Sequence, residues 1–455
     1  MSANLEPSTE QKLQKSLTPT LLWGLGVGYV ISGMYFGWNL GLEKGGTFGM
    51  AVATFFVIIL YVTFSLSYAE LACAIPQAGG AFDYANRALG KKWGFLAGMA
   101  QNIEFLFAPP AIAVGIGAYF NAVFPQLSIL GVAIGAYFVF TLLNILGTKL
   151  ASAFELVITI LAVLGLVIFW YFTFPKFEAK NLFINNLPNG WSGAFAALPF
   201  AIWFFLGIEG LANVAEESNN PQEDITWGFG SAMATLVVLC VLTFITAIGI
   251  NGWESIVYKA DGSVTDSPLP MAMSKIMSDT SGVYQLIVGI GTCGLIASFH
   301  GLVLAAGRAT FEFGRVGNAP KFMGNVHPRF KTPANALLIN MVFGIVALLS
   351  NSTADIIILS AFGALTMYIF SMVSLLVLRK KEPNLKRPFL VPFYPVSPII
   401  ALVIASVALV ALIIYNFNLS LVFFGILVGS NLLAHFFGDL GIVSEDTDGG
   451  QQRKP

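Results

Sequence analysis

Apolar residues come in long blocks along nearly the whole chain, and polar residues collect between the blocks. Runs of about 20 residues, enough to cross the hydrocarbon core of a bilayer, fall near 20–42, 47–74, 94–120, 126–147, 151–174, 193–215, 226–250, 282–312, 333–350, 354–378, 396–416 and 418–438. The pattern predicts an all-α integral membrane protein: twelve transmembrane helices in one domain over residues 19–438, between polar tails at 1–18 and 439–455. The first apolar run is too long to be a cleavable signal, so it is expected to stay in the membrane. Of the connections, 251–281 is the longest and is expected to form turns, with Asp261-Gly262-Ser263, Pro268 and Pro270. The 76–92 segment mixes Gly79-Gly80 with Phe82, Tyr84 and Leu89 and is expected to include a short interfacial helix.

Two of the blocks are flawed. The sixth, within Trp191 to Pro221, carries Glu209 between Gly207 and Gly210. An ionised carboxylate in hydrocarbon costs at least ~2.5 to 3.5 kcal/mol, and an opened turn leaves backbone groups unsatisfied, so both point to a polar cavity. The first block has a matching weak point at Ile31 to Gly37, centred on Ser32-Gly33. Paired interruptions in two halves of a chain mark the binding site of inverted-repeat transporters. Spans one to five (20–174) and six to ten (193–378) are two halves of odd number, which must lie in the membrane with opposite topology. Spans eleven and twelve (396–438) are then an addition.

Composition supports this picture, with 56% apolar and only 10% charged residues among 455. Five of the 23 basic residues (Lys44, Lys176, Lys180, Lys259 and Lys275) fall on one side, leaving 18 on the side of the termini. The positive-inside rule therefore predicts both termini in the cytoplasm and a place in the plasma membrane, the inner membrane of a Gram-negative cell. The acidic segment Glu216 to Asp224 dissents, but acids weigh little in that rule. A net charge of −1 excludes a nucleic-acid partner. Cys73, Cys240 and Cys293 lie inside spans at unrelated spacings and suit packing rather than disulfides or metal. No cofactor or metal ion is indicated.

Tyr68-Ala69-Glu70-Leu71-Ala72, followed by Ile75-Pro76-Gln77-Ala78-Gly79-Gly80-Ala81-Phe82, resembles the second-helix signature of the amino acid–polyamine–organocation transporters. The Ser32-Gly33 break is similar as well, as are Gly207-Ile208-Glu209 with Glu216-Glu217 and Asn220-Pro221 after it, and Arg387-Pro388-Phe389 with Pro392 and Pro395. Within that family, Gln101-Asn102-Ile103-Glu104 and the stretch around Gly41 to Gly46 look most like the ethanolamine permease branch. The resemblance covers nearly the whole chain. It implies the five-plus-five inverted repeat with spans one and six broken at the substrate, alternating access, and import of a small amine.

Glu104 lies eleven residues into span three, about 16 Å deep at ~1.5 Å per residue and near the midplane. Asn102 precedes it and Pro109-Pro110 follow, and by resemblance this part of span three lines the substrate pocket. A carboxylate here would attract an ammonium by ~4 kcal/mol at 4 Å and an effective dielectric of 20, before desolvation is subtracted. The alternative is a protonated Glu104 hydrogen-bonded to a neighbouring helix. Glu209 has three readings: proton relay or gate, cap of the broken helix, or direct ligand. At the first break the resemblance implies that the amides of Ser32 and Gly33 project into the pocket, beside Met34 and Tyr35. Gly24, Gly26 and Gly28 are better explained by close helix packing.

Trp203, Phe204 and Phe205 precede Glu209, and by resemblance an aromatic there closes over the substrate. An aromatic face also suits an organic cation, by ~0.5 to 2 kcal/mol. His300 can titrate, or it can simply join two helices. Glu70, Asp83 and Arg308 lie at the inner ends of their spans, where the family motifs suggest a gate network and a fixed charge cluster is the alternative. One departure concerns coupling: span five contains Glu155 but no lysine, which some proton-coupled family members carry there, so H+ as the coupling ion stays open. A channel should lack paired breaks. An enzyme should show a nucleophile–base pair or a metal constellation, and three histidines in no such spacing speak against one. Within the carrier class the alternative is an amino acid permease, which two buried carboxylates disfavour because they repel a substrate carboxylate.

Overall fold

The computed structural model describes residues 15–350 and 352–439, and among them the secondary structure is helical apart from two isolated bridges. In chain order the helices are α1 (Pro19–Tyr35), α2 (Asn39–Ala74), α3 (Ala81–Leu89), α4 (Lys91–Val123), α5 (Ile129–Leu146), α6 (Thr148–Thr173), α7 (Gly190–Ala196), α8 (Leu198–Trp203), α9 (Gly210–Asn213), α10 (Pro221–Gly249), α11 (Glu254–Val257), α12 (Pro268–Ser274), α13 (Gly282–Arg315), α14 (Ala334–Leu348), α15 (Thr353–Lys381), α16 (Val396–Tyr415) and α17 (Phe417–Asp439). Nine helices among the described residues are long and apolar enough to cross a membrane. The other three predicted spans are the 17-residue α1, the interrupted run of α7, α8 and α9, and the 15-residue α14.

The first apolar run divides between two helices. α1 leaves helical geometry at Phe36 and Gly37, and the chain re-enters a helix at Asn39 before bending at Gly46, where φ is 63°. The predicted weak point is thus present, but the helix ends at Tyr35, two residues past Gly33. Gly37, at φ +86°, occupies the left-handed region that glycine adopts without a Cβ clash. Gly33 serves another need: a side chain there would strike the Trp203 carbonyl and the Phe204 backbone, so the two interrupted segments touch main chain to main chain.

α4 packs on both α13 and α15 at the centre, with α1 wedged between α6, α10 and α13. α2 packs on α7, α10 and α16. Large exposed apolar side chains such as Phe138, Leu142, Val157, Val407 and Leu432 lie on α5, α6, α16 and α17, a surface suited to lipid. The glycines of α1 are packing positions as expected: side chains at Gly24, Gly26 and Gly28 would meet Leu156, Leu211 and Glu155 respectively. The expected interfacial helix is α3, whose Phe82 packs on Phe313 of α13, which in turn meets Phe95 of α4. The 251–281 connection contains α11, α12 and a Tyr258–Val264 bridge as well as turns, and Asn39 holds it by donating to the Thr265 carbonyl at 2.8 Å.

Candidate functional site

The second interruption is built from tight turns. After α8, the amides of Phe204 and Phe205 bond to carbonyls only three residues back, at 3.2 and 3.0 Å, and Gly207 turns at φ +106°. The side chain of Glu209 folds back to accept from the Gly207 amide at 3.0 Å, satisfying a donor that the opened helix leaves over. Its other oxygen accepts from the Tyr368 hydroxyl of α15 at 2.9 Å. Tyr61 of α2 lies 2.9 Å from the same hydroxyl and, with Tyr368 donating onward, is the donor of that pair.

Glu104 faces this arrangement from α4. Its carboxyl and that of Glu209 lie close enough to influence each other, and both side chains are fully buried. Among the described residues neither Glu104 carboxyl oxygen has a hydrogen-bond partner. α15 brings Glu104 into place through Gly363, whose missing side chain lets it lie against the Ala100 carbonyl and the Glu104 amide, and through Ser360, which donates to the Glu104 carbonyl at 3.0 Å. Two neighbouring buried carboxyl groups both carry charge only at high cost unless a cation lies with them, so the pair is suited to a proton or to a positive ligand. Aromatic rings continue the wall. Tyr61 lies 5.4 Å from Phe205 and 5.5 Å from Tyr368, and Phe64 lies 4.1 Å from Tyr368 and 4.9 Å from Tyr68, centroid to centroid.

The other sequence candidates are distributed around this centre. Trp203 donates to the Phe36 carbonyl at 3.1 Å and meets the Phe36 ring edge-on, so it pins the two interruptions together. Phe204 stacks on Trp38 at 5.5 Å, and of the three consecutive aromatics Phe205 is the one that meets Tyr61. The Ser32 amide does not project freely: it donates to the Ser298 hydroxyl of α13 at 2.8 Å, while that hydroxyl donates to the Gly28 carbonyl at 2.6 Å. Ser298 thus grips one turn of α1, between Gly28 and Ser32. Met34 is buried and offers its carbonyl to the Trp38 indole. Tyr35 points away from the carboxyl pair, bonding through its hydroxyl to the Ala162 carbonyl of α6 at 2.6 Å.

Asn102 also faces elsewhere, accepting from Thr310 of α13 at 2.9 Å. Positions two apart on a helix do not share a face, which separates Asn102 from Glu104. Gln101, three before Glu104, is instead tied to Asn213 at 2.6 Å, and Asn213 donates to the Ala78 carbonyl. Glu70 receives Arg379 through two bonds of 2.7 Å and the Val391 amide at 2.8 Å, with Arg387 at 3.4 Å. Arg308 binds Glu217 at 2.9 Å with both side chains fully buried, and His300 meets Glu155. In the α3 segment, Asp83 accepts from the Gly79 amide at 3.0 Å. Burial, followed by the charge of Glu312, pushes the Asp83 carboxyl up to about 8, against the opposing pull of Arg315. Among the described residues no group of three or more His, Cys, Asp or Glu could hold a metal ion.

A chain of bundled apolar helices, two of them interrupted around buried carboxyls, defines an integral membrane transporter. The model of the amino acid permease family matches residues 20–431, and the chain belongs to that family, within the amino acid–polyamine–organocation superfamily. It is 28% identical to an uncharacterised transporter of Rhizobium meliloti, over 92% of this chain and 91% of the relative. It is 26% identical to the branched-chain amino acid permease BcaP of Bacillus subtilis, over 87% of each. It is also 27% identical to the low-affinity putrescine importer PlaP of Escherichia coli, over 87% of this chain and 89% of that one.

Proposed function

We propose that the protein is a secondary carrier that imports a small organic amine, ethanolamine first among the candidates, by alternating access across the plasma membrane. The observation that carries this reading is the burial of two carboxyls, Glu209 at the second interruption and Glu104 on α4, with both Glu104 oxygens lacking a hydrogen-bond partner among the described residues. An ammonium entering there takes the place of a proton, gains two carboxylate partners and finds the rings of Tyr61, Phe64 and Tyr368 beside it. Gly207 and the tyrosine chain hold Glu209 in position. Met34, Trp203 and Phe204, at the junction of the two interruptions, form the lid on this space. Glu70 and Arg308 belong to charge clusters at the ends of their helices that open and close the path. In the same reading the halves 20–174 and 193–378 are inverted repeats, α16 and α17 are additions, and both termini are cytoplasmic.

The second reading is an amino acid permease, favoured by likeness to a branched-chain amino acid permease. Opposing it is the repulsion that two acidic groups exert on a substrate carboxylate. Uptake of labelled ethanolamine into proteoliposomes, with putrescine, leucine and serine as competitors, separates the two. Saturable ethanolamine uptake that leucine leaves untouched supports the amine carrier. Saturable leucine uptake with no response to amines replaces it by the amino acid permease.

A further inference from the structure

Basic side chains gather at one end of the bundle, where α3 turns into α4 and where α15 ends. Gly90, at φ +98°, reverses the chain between α3 and α4, and Lys91 and Lys92 follow it, both exposed. α15 is tied to this turn twice. Arg87 binds Glu382 through bonds of 2.9 and 2.6 Å, and Nζ of Lys381 donates to the Ala88 carbonyl at 2.9 Å. The joint brings the end of α15, with exposed Lys380 and Lys381, to the turn that carries Lys91 and Lys92.

The arginines at the end of α15 are engaged within the protein. Arg379 and Arg387 both reach Glu70, at 2.7 and 3.4 Å. Among the described residues Lys91, Lys92 and Lys380 make no ion pair. The sidedness of basic residues in membrane proteins accounts for lysines on one side of the bilayer, but not for their gathering at one joint. Helix stability does not account for them either. Lys91 and Lys92 occupy the first turn of α4, where the helix dipole opposes positive charge.

Apolar groups flank the charge. Trp93, half-exposed, packs on Phe370 of α15 at 5.8 Å. Tryptophan at the end of a spanning helix favours the headgroup level of the bilayer. Beyond the end of α15, the 382–395 linker is held by the Val391 amide, which donates to Glu70 at 2.8 Å, and by Arg379, 4.5 Å over the Tyr394 ring. It leaves Leu390 and Phe393 exposed, Phe393 by 84%. A soluble anion gains nothing from such neighbours. A lipid, with phosphate above acyl chains, matches both the charge and the apolar flanks.

We propose that this joint binds the headgroup of an anionic phospholipid from the leaflet it faces, with Lys91, Lys92 and Lys380 around the phosphate and Trp93 against the upper acyl chain. The bound headgroup offsets the mutual repulsion of lysines brought together from α4 and α15, so the lipid tightens the docking of α3 on α15. The proposal depends on the place in the membrane that the family and the long apolar helices show, and not on the substrate.

The test uses the full chain in nanodiscs of phosphatidylethanolamine, with and without phosphatidylglycerol. Lipid retained on the protein after transfer to detergent is measured by native mass spectrometry. Wild type should retain phosphatidylglycerol about tenfold over phosphatidylethanolamine, and high salt during transfer should reduce that preference. Lys91→Gln/Lys92→Gln/Lys380→Gln should bring it near parity. Lys321→Gln/Arg329→Gln/Lys331→Gln, the same loss of charge in the 317–332 loop, should keep it. No preference in wild type, a preference that the first triple variant keeps, or equal loss in the second overturns the proposal. Hydrogen–deuterium exchange over 81–93 reads the joint itself: phosphatidylglycerol should slow it by about threefold in wild type and not in the first variant. No slowing in wild type, or equal slowing in both, overturns the tightening of α3. Inorganic phosphate at matched concentration should leave the exchange unchanged; slowing by phosphate equal to that by the lipid overturns the assignment to a lipid.

Discussion

At the scale of single residues, charge and hydrogen bonding at Glu104 can be separated. Glu104→Gln keeps the size and an acceptor but removes the attraction for an ammonium. Amine affinity should therefore weaken by about 1 to 3 kcal/mol, roughly 5- to 150-fold, with thermal stability little changed. Unchanged affinity in a binding titration would return amino acid transport to first place. Glu104 was legible in the sequence because a carboxylate near mid-depth of an apolar helix needs a reason. Its aromatic neighbours were not. Tyr61, Phe64 and Tyr368 stand in helices apolar on every side, where the facing of a ring depends on packing that no local pattern encodes. Asn102 misled for a simpler reason: nearness in sequence to Glu104 counted as nearness in space, although two steps along a helix turn a side chain most of the way to the opposite face.

At the scale of elements, the two interruptions are joined through backbone, and that contact is the part least tolerant of a side chain. Gly33→Val would push a branched side chain into the Trp203 carbonyl, and Gly207→Val would place a β-branched residue at φ +106°. Both should abolish transport while membrane insertion continues, as uptake and surface-expression assays would report; normal uptake by Gly33→Val would remove the junction from the site. α3 offers an element-scale test by pH. The Asp83 carboxyl is pushed from its ordinary 3.8 up to about 8 when α3 is docked, so the docked state binds the proton more tightly than the released one. The stability this adds is fully present below about pH 4 and is lost as pH rises through about 8. Proteolysis near residues 76–92 should accelerate on going from neutral to alkaline buffer, and Asp83→Asn should abolish that dependence. The sequence predicted where helices lie and that two runs break. It placed the first break too early, because Gly33 and Gly37 look alike in a list of residues while one permits a contact and the other a turn.

At the scale of the whole molecule, the distribution of basic residues predicts sidedness. A cysteine introduced in the 251–281 loop should react with an impermeant reagent in intact cells, and one in the 317–332 loop should not; the reverse labelling would invert the orientation. The helical architecture was largely legible because long apolar runs have few alternatives in a bilayer, whereas the assignment of partners across the bundle needed coordinates. Ser298 illustrates this, as nothing in the sequence singles it out from other serines. Its hydroxyl links the carbonyl of Gly28 to the amide of Ser32, two groups spaced for the ordinary rung of an α-helix. If α1 swings away from α13, the helical rung still serves those two groups, and the serine is the only party left to find a new partner. If α1 moves during transport, that joint acts as a clutch: engaged, it ties α1 to the scaffold, and released, it leaves the helix with its own backbone bonds and no unpaired polarity to oppose the motion.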